Sequence, residues 1–256
     1  MGGQETEWLV IGGSGGIGRE IVLHAALQGA YVRCTGGSRR GIAGLRGEFL
    51  QRNAADGRGC MPDARVRRIT GMRSLVRLER WVASLPLPDV VVCAYGPLFE
   101  GRLEDTSAAD WHLMALHNLV LPGMLLSQLL PRMQARGSGT IILFGGTDTD
   151  QIKGYRQIAA YSAVKTGVGV LARSAAKTVP QANGKTAASD VRTVCICPDF
   201  VETEYLTDDQ RRRYRSLAGA DGLSLPQRYA RLAWRIAQRE ENFPNGAILN
   251  MRIYRE

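Results

Sequence analysis

A short apolar run, Trp8-Leu9-Val10-Ile11, ends in the cluster Gly12-Gly13-Ser14-Gly15-Gly16-Ile17-Gly18. An amphipathic pattern follows through Ile21, Val22, Ala25 and Ala26, with Gly29 as a stop signal. This order reads as strand, tight turn, helix, and Ala30–Thr35 supplies the next strand. Two strands joined through a helix are held parallel, which commits the chain to an α/β sheet. Glycines at such a turn let backbone N–H groups and the helix N-terminus approach a phosphate with no side chain in the way. Gly12, Ser14, Gly15, Gly16, Ile17 and Gly18 are therefore candidate nucleotide-binding residues, the plain alternative being a flexible turn.

The remaining elements keep the alternation. Helices are expected over Gly41–Asn53, over Met72–Leu85 before Pro86 and Pro88, and over Trp111–Met133 with a kink at Pro122 and Gly123. A further helix containing Tyr161 runs to Val179 and stops at Pro180, and a last one spans Pro226–Glu240. Strands are expected at Arg65–Ile69, Asp89–Ala94, Thr140–Phe144, Val191–Cys197 and Ala247–Ile253. The nearly continuous apolar run Val90-Val91-Val92-Cys93 suits a parallel strand buried on both faces. With no internal repeat and no linker, residues 1–256 read as one doubly wound parallel-sheet domain with helices on both faces.

Composition excludes several classes. No run of 18 apolar residues occurs, so no membrane span is expected. Glu5 and Glu7 precede any apolar run, which is wrong for a secretory signal. The charge of +9 would allow nucleic-acid contacts, but the arginines are spread along the chain and no nucleic-acid motif is present. Five scattered cysteines (34, 60, 93, 195, 197) suggest reduced thiols and a cytoplasmic location. The three histidines lack metal-ligand spacing, so no metal is expected.

Chemistry concentrates in Tyr161-Ser162-Ala163-Val164-Lys165. A tyrosine and a lysine four apart share one helix face. An ammonium there favours the phenolate and tunes the phenol for proton exchange with a carbonyl or alcohol oxygen. The choice of lysine is pointed, because the chain uses arginine 29 times and lysine 4 times. Asn118 is a lone amide among Leu116, Leu119, Val120 and Leu121, either structural or part of a site. No acid follows Thr35 to bond the ribose hydroxyls of NAD. Ser38 and Arg39 suit a 2′-phosphate instead, making NADP(H) the preferred cofactor over NAD(H).

Together these segments resemble the short-chain dehydrogenase/reductase family over essentially the whole chain, nearest in pattern to 3-oxoacyl-acyl-carrier-protein reductases. Gly12-x-x-x-Gly16-Ile17-Gly18 matches the family's phosphate turn, although Ile11 stands where a Thr is usual. Cys93-Ala94-Tyr95-Gly96 replaces Asn-Asn-Ala-Gly, and Pro198-Asp199-Phe200-Val201-Glu202-Thr203 resembles Pro-Gly-x-x-x-Thr. Arg68 takes the place of an Asp that touches adenine. The resemblance implies Tyr161 as general acid/base and Lys165 as its modulator and ribose ligand, with Asn118 holding a relay water. It also implies Ala94, Gly96, Pro198 and Thr203 at the cofactor. The family serine is missing: no serine lies between Ser138 and Ser162, and the loop after Gly145-Gly146 is about two residues longer. Thr147 is the nearest hydroxyl and the candidate substitute, while Asp148 stands at the usual distance from Tyr161.

Two functions follow from the resemblance. One is an NADP-dependent oxidoreductase acting on a small carbonyl/alcohol substrate. The other is a cofactor-binding sensor or partner subunit with little turnover, favoured by the altered serine, Ala94 and Arg68. The resemblance further implies a homodimer or homotetramer, and a variable substrate lid at 204–225 whose arginines suit an acidic or carrier-bound substrate.

Overall fold

The structure, a computed structural model, describes residues 6–54, 57–178 and 189–254. Its strands are β1 (Glu7–Ile11), β2 (Tyr31–Gly36), β3 (Asp63–Val66), β4 (Val90–Cys93), β5 (Ser138–Phe144), β6 (Asp190–Cys197) and β7 (Ile248–Asn250). They form a seven-stranded parallel sheet, flanked by helices, in the order β3-β2-β1-β4-β5-β6-β7. The order reverses at β1, which has β2 on one side and β4 on the other. In sheets of this kind ligands bind beyond the carboxyl ends of the strands at that reversal. The chain divides into two compact units that interleave in sequence.

The first unit takes Met1–Arg68, Pro88–Ala94 and Asp199–Asn242. Trp8, Leu9, Val10 and Ile11 are buried to the last, as are the four residues of β4, so neither strand needs polar alternation. Helix α1 (Gly16–Leu27) packs on α8 (Pro226–Ala237). The Trp8 ring stacks on Trp234 of α8 with centroids 5.7 Å apart and planes 11° from parallel, and His24 meets the same indole edge-on. Helix α2 (Arg39–Asn53) begins two residues earlier than the apolar pattern indicates, because the Ser38 hydroxyl caps it by accepting from Gly41 N at 3.1 Å. Arg52 near its end clasps the buried Glu20 of α1 through two bonds of 2.8 Å.

The second unit takes Ile69–Leu87, Tyr95–Pro198 and Phe243–Glu256. It carries α3 (Met72–Ser84), α4 (Ala108–Ala115), α5 (Leu121–Arg136) and α6 (Ala159–Thr178). Where the sequence suggests one long helix kinked at Pro122, α4 and α5 are joined by a π-helical turn at Leu116–Val120. Leu121 N–H reaches back five residues to Leu116 O. Pro122 has no N–H, and its ring would strike the carbonyl of Asn118 in a regular helix, so the widened turn sits directly ahead of it. The stretch Ala108–Arg136 is long and apolar enough to cross a membrane, but 56% of its most apolar window is buried inside the fold. The last strand is shorter than the apolar run Ala247–Ile253 suggests. After Asn250 the backbone turns, with Ile253 N and Tyr254 N both bonded to Asn250 O. The expected stop of the Tyr161 helix at Val179-Pro180 lies outside the described residues.

Candidate active site

In the first unit the glycine turn leaves β1 and enters α1. Gly12 N donates to Thr35 Oγ1 at 3.1 Å and Gly13 N to Thr35 O at 2.8 Å, fastening the turn to β2. A side chain at Gly18 would drive its Cβ into Gly12 O and to 3.2 Å from Ala94 Cβ at the end of β4, so the helix can start this close only without one. Ser14 lays its hydroxyl against Gly36, and its carbonyl accepts from Arg19 Nη2 at 2.9 Å. Ser38 and Arg39 stand exposed at the start of α2, where the helix dipole adds positive character. Thr203 Cγ2 lies 3.6 Å from the point where a Gly16 side chain would begin.

Two residues at this turn carry no signal in the sequence. Glu204 accepts from Gly16 N through both carboxylate oxygens, at 3.1 and 3.2 Å, with Arg19 Nη2 3.7 Å away. The Tyr205 hydroxyl lies over Gly15, in the space a side chain there would need. A carboxylate thus rests where a glycine-rich helix start receives anions. The segment leading to it is tied down at its base. Asp199 accepts from the hydroxyls of Ser224 and Tyr229 and from Arg228 at 3.2 Å. Burial and the Asp199 carboxylate raise the Tyr229 pKa, so that phenol stays a donor. Beyond the base, α7 (Asp208–Ala218) buries no residue. Three of its four arginines are satisfied locally: Arg211 and Arg215 on Glu202 at 2.7 and 3.3 Å, and Arg212 on Asp209.

In the second unit, α6 places Tyr161 and Lys165 one turn apart. Lys165 is only 4% exposed, with Nζ 5.8 Å from the Tyr161 ring centroid and 3.0 Å from Phe144 O at the end of β5. The π-helical turn aims Asn118 toward the same place. Its Nδ2 donates to Pro97 O at 3.3 Å, while its Oδ1 is buried without a partner among the described residues. A Cβ at Gly96 would collide with Asn118 Oδ1 and come within 2.6 Å of Lys165 Nζ, so both polar atoms converge on one point. Gly146 also borders the pair: its Cβ would sit 3.1 Å from Tyr161 Cε1 and 3.3 Å from Lys165 Cβ.

The structure therefore brings Tyr161, Lys165, Asn118, Gly96 and Gly146 together. Thr147 follows Gly146, and its carbonyl accepts from the Tyr155 hydroxyl at 3.4 Å. The hydroxyl side chain packed against Gly146 is that of Thr149, which accepts from Gly146 N at 2.8 Å and donates to Gly146 O at 2.9 Å. Thr149 is buried, but it lies in a loop of turn-forming residues between two aspartates, where the sequence carries no period to mark it. Thr149 Oγ1 lies 3.6 Å from Cys197 Sγ. A hydrogen bond from Cys195 eases ionisation of Cys197 and holds the Cys195 thiol protonated. The loop is docked on the C-terminal turn by Asn250, which donates to Asp150 at 2.8 Å, and by Arg252, which donates to Asp148 at 3.0 Å. Burial and these two carboxylates raise the Tyr155 pKa. No group of three or more His, Cys, Asp or Glu side chains is gathered for a metal among the described residues.

Residues 7–213 match the family model for short chain dehydrogenases. The chain is 27% identical to the 3-oxoacyl-acyl-carrier-protein reductase FabG of Escherichia coli over 247 residues, covering 95% of this chain and 94% of that protein. A match to dehydrogenase/reductase SDR family member 6 of Rattus norvegicus, 26% identical, spans about half of each protein: 52% of this chain and 51% of the relative. Among solved structures, a short-chain type dehydrogenase/reductase from Mycobacterium ulcerans superposes with a TM-score of 0.80 at 20% identity, over 98% of this chain and 90% of its own. A Beutenbergia cavernae structure carrying bound NADP gives 0.75 at 23% identity, over 95% and 94%.

Proposed function

Since this chain belongs to the short-chain dehydrogenase/reductase family of NAD(P)-dependent oxidoreductases, we propose that it interconverts a carbonyl and a secondary alcohol, with NADP(H) preferred. The observation that carries this reading is the burial of Lys165 one turn from Tyr161, converging with Asn118 on Gly96. A buried ammonium is costly unless its charge is used or paired, and here it stands beside a phenol. The residues also fit a dinucleotide: a turn too tight for side chains at Gly18, an α1 N-terminus already holding a carboxylate, and Arg39 with Ser38 in place of an acid after β2.

The bound nicotinamide supplies the hydride chemistry. Tyr161 gives its proton to the carbonyl oxygen in reduction and takes it back in oxidation. Lys165 favours the phenolate and bonds the cofactor ribose. Asn118 Oδ1 accepts from a water that also meets Lys165 Nζ, so the proton is replaced from solvent. Thr147 offers the hydroxyl for the substrate oxygen, and Gly12–Gly18, Ala94, Gly96, Pro198 and Thr203 hold the cofactor. The single-domain organisation, the lid at 204–225, an acidic or carrier-bound substrate, a cytoplasmic location and a homodimer or homotetramer belong to the same reading. Similarity to the carrier-protein reductase supports the substrate class. Exposed Trp111, Leu113, Val120 and Val170 on the two long helical stretches support assembly.

One observation favours the second reading, a cofactor-binding member with little turnover. Gly146 borders Tyr161 and has no hydroxyl, and Gly146 N is engaged by Thr149. Loss of NADPH absorbance with a panel of ketones and 3-oxoacyl thioesters decides between them. Turnover with any member supports the enzyme, and tight NADPH binding without turnover supports the sensor.

A further inference from the structure

We propose that Glu204 is an internal competitor for the cofactor's diphosphate, its carboxylate capping α1 until a dinucleotide displaces it. The inference rests on the reading that this chain takes a dinucleotide cofactor, and it adds a determinant of how tightly.

The α1 N-terminus presents unpaired N–H groups and the positive end of the helix dipole. Both oxygens of Glu204 take up Gly16 N, and Arg19 adds positive charge at 3.7 Å. Beside them the Tyr205 hydroxyl fills the space over Gly15 that a side chain there would need. A diphosphate carries more charge than one carboxylate and accepts from several N–H groups at once, so it wins the site and repels the carboxylate. Binding therefore starts from a competitor-occupied state, and the observed affinity is lowered by the fraction of molecules that are capped.

The cap is built to move. Tyr205 is 68% exposed and the Glu204 side chain 45% exposed, and α7 beyond them buries no residue, its Tyr214 ring stacking on Phe200 of the base. Two residues earlier the chain is fixed, with Glu202 N bonded to Ser224 O at 2.9 Å, Ser224 N to Phe200 O at 2.8 Å, and Asp199 held by Tyr229, Ser224 and Arg228. Rotation about Thr203 lifts both cap residues while the base stays in place.

The test is Glu204→Gln in the full-length protein, titrated with NADPH, NADH and inorganic pyrophosphate beside wild type at one ionic strength. An anion at a helix N-terminus is worth enough to shift these affinities by about three- to tenfold. We expect all three ligands to bind the variant tighter by that factor, and Tyr205→Ala to speed NADPH association in stopped flow. Unchanged or weaker NADPH and pyrophosphate binding by a folded Glu204→Gln overturns the proposal while leaving the cofactor reading intact. If neither protein binds either dinucleotide, the cofactor reading itself fails, and the proposal with it.

Discussion

Lys165 Nζ donates a 3.0 Å hydrogen bond to the carbonyl of Phe144, joining the helix that carries Tyr161 to the last residue of β5. The bond gives a buried ammonium a fixed address and stops β5 where the Gly145-Gly146 turn begins. Lys165→Met removes the charge and this hydrogen bond together. We expect a loss of about 1–3 kcal/mol in stability, read by denaturant unfolding, together with weaker NADPH binding and a fall in kcat. Wild-type stability would contradict this account of the bond.

Tyr161→Phe isolates the proton. It keeps the ring beside Gly146 and Lys165 and removes only the hydroxyl. Turnover should fall by about 10²–10⁴-fold, with the NADPH dissociation constant within about twofold of wild type. Retained activity on a good substrate would place the acid elsewhere.

Gly146→Ser restores a hydroxyl beside Tyr161. Its Cβ would meet Tyr161 Cε1 at 3.1 Å and Thr149 Cγ2 at 3.2 Å, so neighbours must give by a few tenths of an ångström. One added donor to the developing oxyanion should raise kcat by about tenfold or more. No gain, in a folded variant, would mean that Thr147 or another group already fills the role.

Much of this was legible in the sequence and some was not, for identifiable reasons. The turn from β1 into α1 was readable because Gly18 must lie against Gly12 O, a demand only glycine meets. The kink in the long helical stretch was readable from Pro122. Its form was not, because a π turn places the same residues in nearly the same order as an α turn. Thr149 is not legible in the sequence, since its role depends on the loop folding back on Gly146, a tertiary event. Glu204 and Tyr205 belong to a polar segment with no period, and only its return to α1 gives them meaning. Arg211, Arg212 and Arg215 of α7, conspicuous in sequence, are paired with nearby acids.

Arg39→Ala tests cofactor preference. The side chain is exposed at the first turn of α2, so its pairing with a 2′-phosphate should be worth about tenfold in NADPH affinity, with NADH affinity changed by less than about twofold. Equal losses for both dinucleotides would remove the argument for NADP.

Acid should weaken the fold before the carboxylates titrate. Burial lowers the pKa of His24, with Arg231 adding to the effect, and burial lowers that of His117 against the pull of Ile69 O. Below their ordinary value of 6.5 the unfolded chain takes up protons that the folded chain refuses. Stability is thus complete above pH 6.5 and lost as pH falls through the lowered folded values. Melting temperature should drop from pH 7 to pH 5, and less steeply in His24→Gln/His117→Gln. A flat profile would show that both rings protonate in place.

The stacked pair Trp8 and Trp234 joins the strand that feeds the glycine turn to helix α8. Two indoles 5.7 Å apart and nearly parallel couple their electronic transitions, so together they give a circular dichroism signature that neither gives alone. That signature exists only while β1 and α8 remain in register. The protein therefore carries its own optical gauge of the integrity of its first unit, one that needs no label and no bound ligand, and that separates a variant with a damaged scaffold from one with an intact scaffold and altered chemistry.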